Sequence, residues 1–179
     1  MVNSTASTIT KLRASDGGLQ GTFTPAPGYS LADILFDGTY IWVASPNLNS
    51  VLKLQPSDGA VLATFAAGSL PEQLAFDGAN IWATNFTLSP SVTKLRASDG
   101  ALLGTFMVGR RPNQFAFDGT NIWVTCVESG NVYKLRARDG AARGIVFAES
   151  SPNDIVFDGS NMWVSCPATG SVNKILRGH

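Results

Sequence analysis

A ten-residue segment occurs four times in this chain of 179 residues, and the repeat constrains the fold more than any other feature. The copies are LFDGTYIWVA at 35–44, AFDGANIWAT at 75–84, AFDGTNIWVT at 116–125 and VFDGSNMWVS at 156–165. Their Phe-Asp-Gly triplets are spaced by 40, 41 and 40 residues. A period of this length predicts one supersecondary unit written about four times. The whole chain, 1–179, is therefore expected to form a single domain.

Each unit contains four short apolar segments separated by turn residues. Within 72–106 they are EQLAF, NIWAT, SVTKL and LLGTF. Asp-Gly between apolar runs is a strong hairpin signal, because glycine accepts the positive φ of tight turns. A second Asp-Gly series follows a Lys-Leu pair by five residues, at Asp16, Asp58, Asp99 and Asp139. These patterns predict an all-β chain with repeat units at about 8–49, 50–90, 91–130 and 131–176.

Four-stranded units of about 40 residues are typical of β-propeller blades arranged around a channel. Both faces of a blade contact neighbours, so the recurring aromatic residues are expected to lie in layers between blades. These aromatic residues are Trp42, Trp82, Trp123, Trp163, Phe36, Phe76, Phe117, Phe157, Phe23, Phe65, Phe106 and Phe147.

The order of segments in one unit resembles that of the NHL-repeat propellers and the virginiamycin B lyase-like propellers. The shared pattern is a strand ending in Asp-Gly, an IWV strand, a V-x-K-L strand and a strand ending in Phe. The resemblance covers essentially the whole chain but includes no catalytic motif. It implies a propeller fold and three kinds of activity: protein binding, RNA binding, or a lyase that uses a histidine, a glutamate and magnesium.

The strand count predicts how the ring closes. By the resemblance, the Phe-Asp-Gly strand is innermost, so the chain begins and ends within a blade. Residues 19–23 could pair with the C-terminal strands, leaving residues 9–12 or 172–176 as a surplus third strand. We expect an eight-bladed ring formed by a homodimer, with a four-bladed monomer, a fragment or another oligomer as alternatives.

The loops that differ between copies are the expected location of function, because binding groups lie on loops held by a rigid scaffold. The loops leading into the inner strands place Asp33, Gln73, Gln114 and Asp154 at one equivalent position. We predict that these side chains surround the channel mouth and bind a polar ligand, or simply contact water there. The candidate ligand-binding residues are Asp33, Glu72, Gln73, Arg110, Arg111, Asn113, Gln114, Asn153 and Asp154.

Arg110 and Arg111 give one of these loops the only adjacent positive charges in the chain. They are expected to pair with a glutamate, to bind an anionic ligand, or to remain solvated. Phe86 and Tyr29 lie outside the repeating aromatic positions and are candidate contact residues. The lysine that recurs in every unit is predicted to lay its stem over an aromatic ring and reach a carboxylate. An extra residue between Asp139 and Phe147 predicts a bulge in that strand.

Composition argues against several classes of function. Thirteen basic and thirteen acidic residues cancel, which disfavours nucleic acid or an acidic membrane surface as the partner. No membrane span or signal sequence is visible, which predicts a cytoplasmic protein. Cys126 and Cys166 have no metal-ligand spacing and are expected to be buried thiols.

Catalytic residues are scarce. The single histidine is His179, there are three glutamates, and no nucleophile, phosphate-loop or metal-site motif is present. Asp33 and Asp154 alone would make a poor cation site, so neither a metal nor a cofactor is expected. We therefore expect a non-enzymatic scaffold that binds a protein segment or a small polar ligand. A propeller-type lyase or metal-dependent lactonase, and a structural repeat protein without a dedicated site, are the alternatives.

Overall fold

The structure, a computed structural model, describes residues 1–3, 6–87 and 89–176, and it is all-β apart from one 3₁₀ turn at Pro46–Leu48. The chain forms five antiparallel sheets in succession. The first sheet contains β1 (Val2–Asn3), β2 (Thr8–Leu12) and β3 (Leu19–Phe23). The second contains β4 (Ile34–Phe36), β5 (Ile41–Ser45), β6 (Ser50–Leu54) and β7 (Val61–Ala66).

The remaining three sheets repeat this up-and-down order. The third sheet contains β8 (Pro71–Phe76), β9 (Asn80–Asn85), β10 (Ser91–Arg96) and β11 (Leu102–Met107). The fourth contains β12 (Pro112–Phe117), β13 (Asn121–Cys126), β14 (Asn131–Arg136) and β15 (Ala142–Phe147). The fifth contains β16 (Ile155–Phe157), β17 (Asn161–Cys166) and β18 (Ser171–Leu176). His179 lies outside the described residues.

The core consists of apolar layers between successive sheets, as the repeat predicts. One layer joins Trp42 of the second sheet to Ile81 and Leu95 of the third. Equivalent layers join the third sheet to the fourth and the fourth to the fifth, and another joins the first sheet to the second. Trp42, Trp82 and Trp123 are completely buried in these layers.

The aromatic prediction is wrong at three positions. Phe147 is 83% exposed, because Val146 pairs with Val132 in the register that Phe106 has with Val92. The extra residue therefore shifts Phe147 beyond the aromatic layer. The same register shift occurs in each of the first four sheets, beside the lysine of the strand that pairs with the outermost strand. The extra residue therefore does not create a bulge that is specific to β15. Phe36 and Trp163 are also partly exposed, because each faces a sheet position that the described residues do not fill.

Lys53 and Lys94 connect sheets by hydrogen bonds to backbone carbonyl groups, and the charges of nearby carboxylates also act on them. The ammonium group of Lys94 lies 5.2 Å from the centre of the Trp82 ring. It donates hydrogen bonds to the carbonyl oxygens of Ala137 and Arg138 in the next sheet, at 2.6 and 2.9 Å. Lys53 makes the same bonds to Ala97 and Ser98. The lysine ammonium group thus donates hydrogen bonds to turn carbonyl groups that would otherwise be buried without a partner.

The predicted transfer of residues 19–23 to the C-terminal sheet does not occur within this chain, where β3 pairs with β2. The fifth sheet has three strands among the described residues, with β18 at its edge. The number of blades, the closure of the ring and the extent of the domain stay predictions. The structure has no helix, over the residues it describes, that is long and apolar enough to cross a membrane.

Candidate functional site

The predicted residues at the channel mouth form hydrogen bonds from one sheet to the next. The amide nitrogen Nε2 of Gln114 donates to Oε1 of Gln73 at 3.0 Å. Asn113 donates from Nδ2 to both the side-chain and the main-chain oxygen of Asn153, at 3.0 and 2.9 Å. The structure therefore brings these four predicted residues together in two pairs, each spanning two sheets.

Asp33 connects the second and third sheets in the same way. Its carboxylate accepts hydrogen bonds from the backbone N–H of Ile34 and of Leu74, both at 2.8 Å. Burial raises the pKa of Asp33, although these two hydrogen bonds oppose the shift. Asp154, at the equivalent position, is exposed, and its carboxylate accepts only from the backbone N–H of Ile155 among the described residues. Asp33 is thus largely committed to joining two sheets.

No cluster of three or more histidine, cysteine, aspartate or glutamate side chains suited to a metal occurs in the part of the chain that the structure describes. The two cysteines are buried, as predicted. Burial raises the pKa of the Cys126 thiol to about 12, which keeps it protonated and unreactive.

A groove of about 940 Å³ lies on the variable loops of the third and fourth sheets. It is lined by Ser69, Leu70, Phe86, Thr87, Ser89, Pro90, Arg110, Arg111 and Glu128. Two backbone hydrogen bonds shape its walls: Phe86 N–H donates to the Leu70 carbonyl, and Val127 N–H donates to the Arg111 carbonyl. The groove therefore combines the predicted arginine pair with Phe86, whereas Tyr29 lies on another loop.

The arginines at one end of the groove differ in their partners. Arg110 forms an ion pair with Glu128 at 3.2 Å, in which the arginine side chain is 78% exposed. Arg111 has no ion pair within 4.0 Å among the described residues, and its charge acts on the more distant Glu72. Burial raises the pKa of Glu72, and Arg111 opposes that shift. The groove thus presents one guanidinium group that no carboxylate neutralises at close range.

Two groove residues have the same unusual backbone conformation. Leu70 and Arg111 precede Pro71 and Pro112, and each has a left-handed φ, of 52° and 55°. Left-handed backbone costs a non-glycine residue about 1–2 kcal/mol. Ser151 has the same conformation before Pro152, so the turn belongs to the scaffold and the side chain it carries is what varies. The sequence analysis did not include three of the groove residues among its candidates: Ser69, Leu70 and Pro90. Only their position in a variable loop could have indicated them.

Comparison with known proteins identifies the fold. No family model matches the chain, and no curated protein matches it. A solved structure that it resembles is BamB from Moraxella catarrhalis, a β-propeller, with a TM-score of 0.78 at 14% sequence identity. The match covers 96% of this chain and 53% of that one, so the chain spans about half the length of the structure it matches. The chain has a β-propeller fold.

Proposed function

We propose that this protein is a non-enzymatic scaffold that binds an acidic protein segment in the groove on its variable loops. The observation that carries the proposal is the exposed Arg111 guanidinium beside an apolar wall formed by Leu70 and Phe86. A flat, charged donor group next to apolar surface suits a carboxylate followed by an apolar side chain.

The two arginines have different roles in this proposal. Arg111 receives a ligand carboxylate directly, because its charge lacks a close acidic partner among the described residues. Arg110 exchanges Glu128 for a second carboxylate, at little cost, because exposed ion pairs are weak. Leu70 and Phe86 are each 36% exposed and provide apolar contact area. An extended segment suits a groove of this volume, because its lining comes from several separate loops.

The channel-mouth residues have a supporting role in this proposal. Gln73, Gln114, Asn113 and Asn153 are already paired with one another, and Asp33 already accepts two backbone hydrogen bonds. A small polar ligand at the mouth would have to break these bonds. Binding at the groove requires only the exchange of one exposed ion pair.

Fluorescence anisotropy with labelled octapeptides tests the groove. The probes are a peptide of alternating Glu and Leu, one of Glu and Ser, and one of Lys and Leu. We expect the Glu-Leu peptide to bind, and the double variant Arg110→Glu, Arg111→Glu to raise its Kd about tenfold or more. Added salt should weaken binding to the original protein, because the contact is exposed and ionic.

The matched control is the double variant Arg138→Glu, Arg143→Glu, which reverses two exposed arginines that do not line the groove. It should leave the Kd within a factor of about two. Equal loss in the control would mean that net charge alone attracts the peptide. Binding of the Glu-Leu peptide that survives the double variant Arg110→Glu, Arg111→Glu would exclude the groove.

We also propose that the binding unit is a homodimer in which two chains complete one ring. The chain matches about half of the propeller that it resembles, over nearly its own full length, which supports a ring built from two chains. Each protomer then carries its own groove, because all residues that line the groove come from one chain.

A further inference from the structure

A cavity of about 320 Å³ lies between the first and second sheets. Its lining includes Ile9, Lys11, Phe23, Ile34, Ile41 and Leu54. Most of these side chains are apolar, and Leu54 is otherwise part of the buried layer between the two sheets. The interfaces between the other sheets show which side chain fills the equivalent space there.

In the next interface the equivalent space contains a tryptophan. Trp42 belongs to one core cluster with Leu74, Ile81 and Leu95, which correspond by the repeat to Ile34, Ile41 and Leu54. The Trp42 ring lies 5.7 Å from the Phe65 ring, and Lys53 lies 5.1 Å above it. Phe65 and Lys53 correspond to Phe23 and Lys11. The cavity is thus lined by the counterparts of five residues that surround Trp42, but it contains no tryptophan.

The first sheet lacks this tryptophan because β1, which is only two residues long, takes the position beside β2 that the tryptophan strand has in the other sheets. Val2 and Asn3 pair with Ile9 and Thr8, and Met1 exchanges hydrogen bonds with Thr10. On the side of β2 that faces away from β3, no strand within the described ranges lies beside Lys11 and Leu12. In the third sheet the corresponding residues, Lys94 and Leu95, pair with Trp82 and Ile81.

The fifth sheet has the complementary feature. Trp163 is 37% exposed, whereas its three counterparts are completely buried. Val172 lies on the same face and is 64% exposed, whereas its counterpart Val92 is buried. The described structure therefore has one tryptophan without a complete apolar layer and one layer without its tryptophan.

We propose that Trp163 of a second copy of this chain fills the cavity. The partner's β16–β17 hairpin adds to the edge of β2, with Trp163 opposite Lys11 and Met162 opposite Leu12, in the register of the third sheet. β2 thereby replaces β18 as the neighbour of β17, and one strand pairing is exchanged for another. β1 is displaced. This joint blade rests on the proposed homodimer and identifies the strands that build it.

A second copy fits this role better than the chain's own fifth sheet. None of the core clusters formed by the described residues joins the first sheet to the fifth. The chain matches about half of a propeller of known structure over nearly its own full length, so a ring of that size needs a second half. With twofold symmetry, each copy supplies one tryptophan and one cavity, and the ring closes without a free cavity.

Size-exclusion chromatography with light scattering, over a dilution series, tests the proposal. The original chain should have the mass of a dimer, and Trp163→Ala should raise the dimer dissociation constant roughly 30-fold or more, as for a buried aromatic anchor. Ile41→Trp should have the same effect, because the new ring occupies the cavity from within. Far-UV circular dichroism should show that both variants keep their β structure.

Val172→Ser is the matched control, because it alters the same exposed face on a strand that the exchange displaces. It should leave the dissociation constant unchanged within a factor of about two. A monomeric original chain, or loss of the dimer in Val172→Ser, would overturn the proposal; the second result would mean that the fifth sheet docks intact. Peptide binding by Trp163→Ala should persist, so failure of the dimer and failure of the groove give different results.

Discussion

The aspartate of each Phe-Asp-Gly triplet does more than form a turn. The Asp118 side chain accepts hydrogen bonds from the backbone N–H of Thr120 and Asn121 through Oδ1, and from Nε1 of Trp123 through Oδ2 at 2.9 Å. The same indole bond recurs in the other copies, where Asp37, Asp77 and Asp158 accept from the tryptophan five residues later. A carboxylate therefore orients each tryptophan of the repeat.

Replacing Asp118 by asparagine should destabilise the protein by about 1.5–3 kcal/mol, the value of hydrogen bonds to a charged group. Both carboxylate oxygens accept N–H groups, so one of them would be replaced by an amide that can only donate. Urea unfolding measures the loss. Asp58→Asn is the control, because the carboxylate of Asp58 accepts one backbone N–H at an exposed turn.

The same variant should reduce the acid sensitivity of the protein. Burial would raise the pKa of Asp118, but hydrogen bonds from Trp123, Asn121 and Thr120 outweigh it and lower that pKa. A lowered pKa in the folded state stabilises the protein above the ordinary aspartate value of about 3.9, and the stabilisation is lost as pH falls through the folded value. If the urea midpoint of the Asp118→Asn protein falls below about pH 4 as steeply as that of the unaltered protein, this account is contradicted.

At the scale of strands and turns, the contact that repeats is between the outer strand of one sheet and the second Asp-Gly turn of the next. The ring of Phe106 lies against Gly140, where a Cβ atom added to the glycine would overlap the ring carbon Cζ. Phe65 makes the same contact with Gly100. This contact explains why the turn keeps its glycine, in addition to the positive φ of 73° at Gly140.

Gly140→Ala should therefore destabilise the fold by more than about 2 kcal/mol, because backbone strain and a steric clash add. Gly119→Ala is the matched control: it has a φ of 87° in the first Asp-Gly turn, and nothing lies within 4 Å of the added atom. The control should lose only about 1 kcal/mol from backbone strain. Equal thermal shifts in the two variants would show that the phenylalanine contact contributes nothing.

At the scale of the whole molecule, the sheets depend on one another because each supplies half of an apolar layer. Cys126 lies in the layer between the third and fourth sheets and reports on that dependence. In Cys166→Ser protein, we expect the remaining thiol to be inert to a disulfide reagent at about pH 8, where the raised pKa and burial protect it. It should react fully in concentrated guanidinium.

The reaction rate then tests how the layers cooperate. If exposure of Cys126 needs unfolding of the neighbouring sheets, Gly140→Ala should speed the reaction in proportion to its loss of stability, and Gly119→Ala should speed it less. A rate that is the same in both variants would mean that the thiol becomes exposed by local opening of the fourth sheet alone.

Much of the architecture was determined by the sequence itself. The period of 40–41 residues, the Asp-Gly turns and the apolar strand segments are local features, so they correctly predict antiparallel sheets and the burial of three of the four tryptophans. Tertiary structure decided what local patterns do not contain. The register between strands excluded Phe147 from the core, and the absence of a following sheet among the described residues exposed Trp163. The groove arises where loops 40 residues apart meet, and a contact over that distance depends on how sheets stack, which no single repeat records.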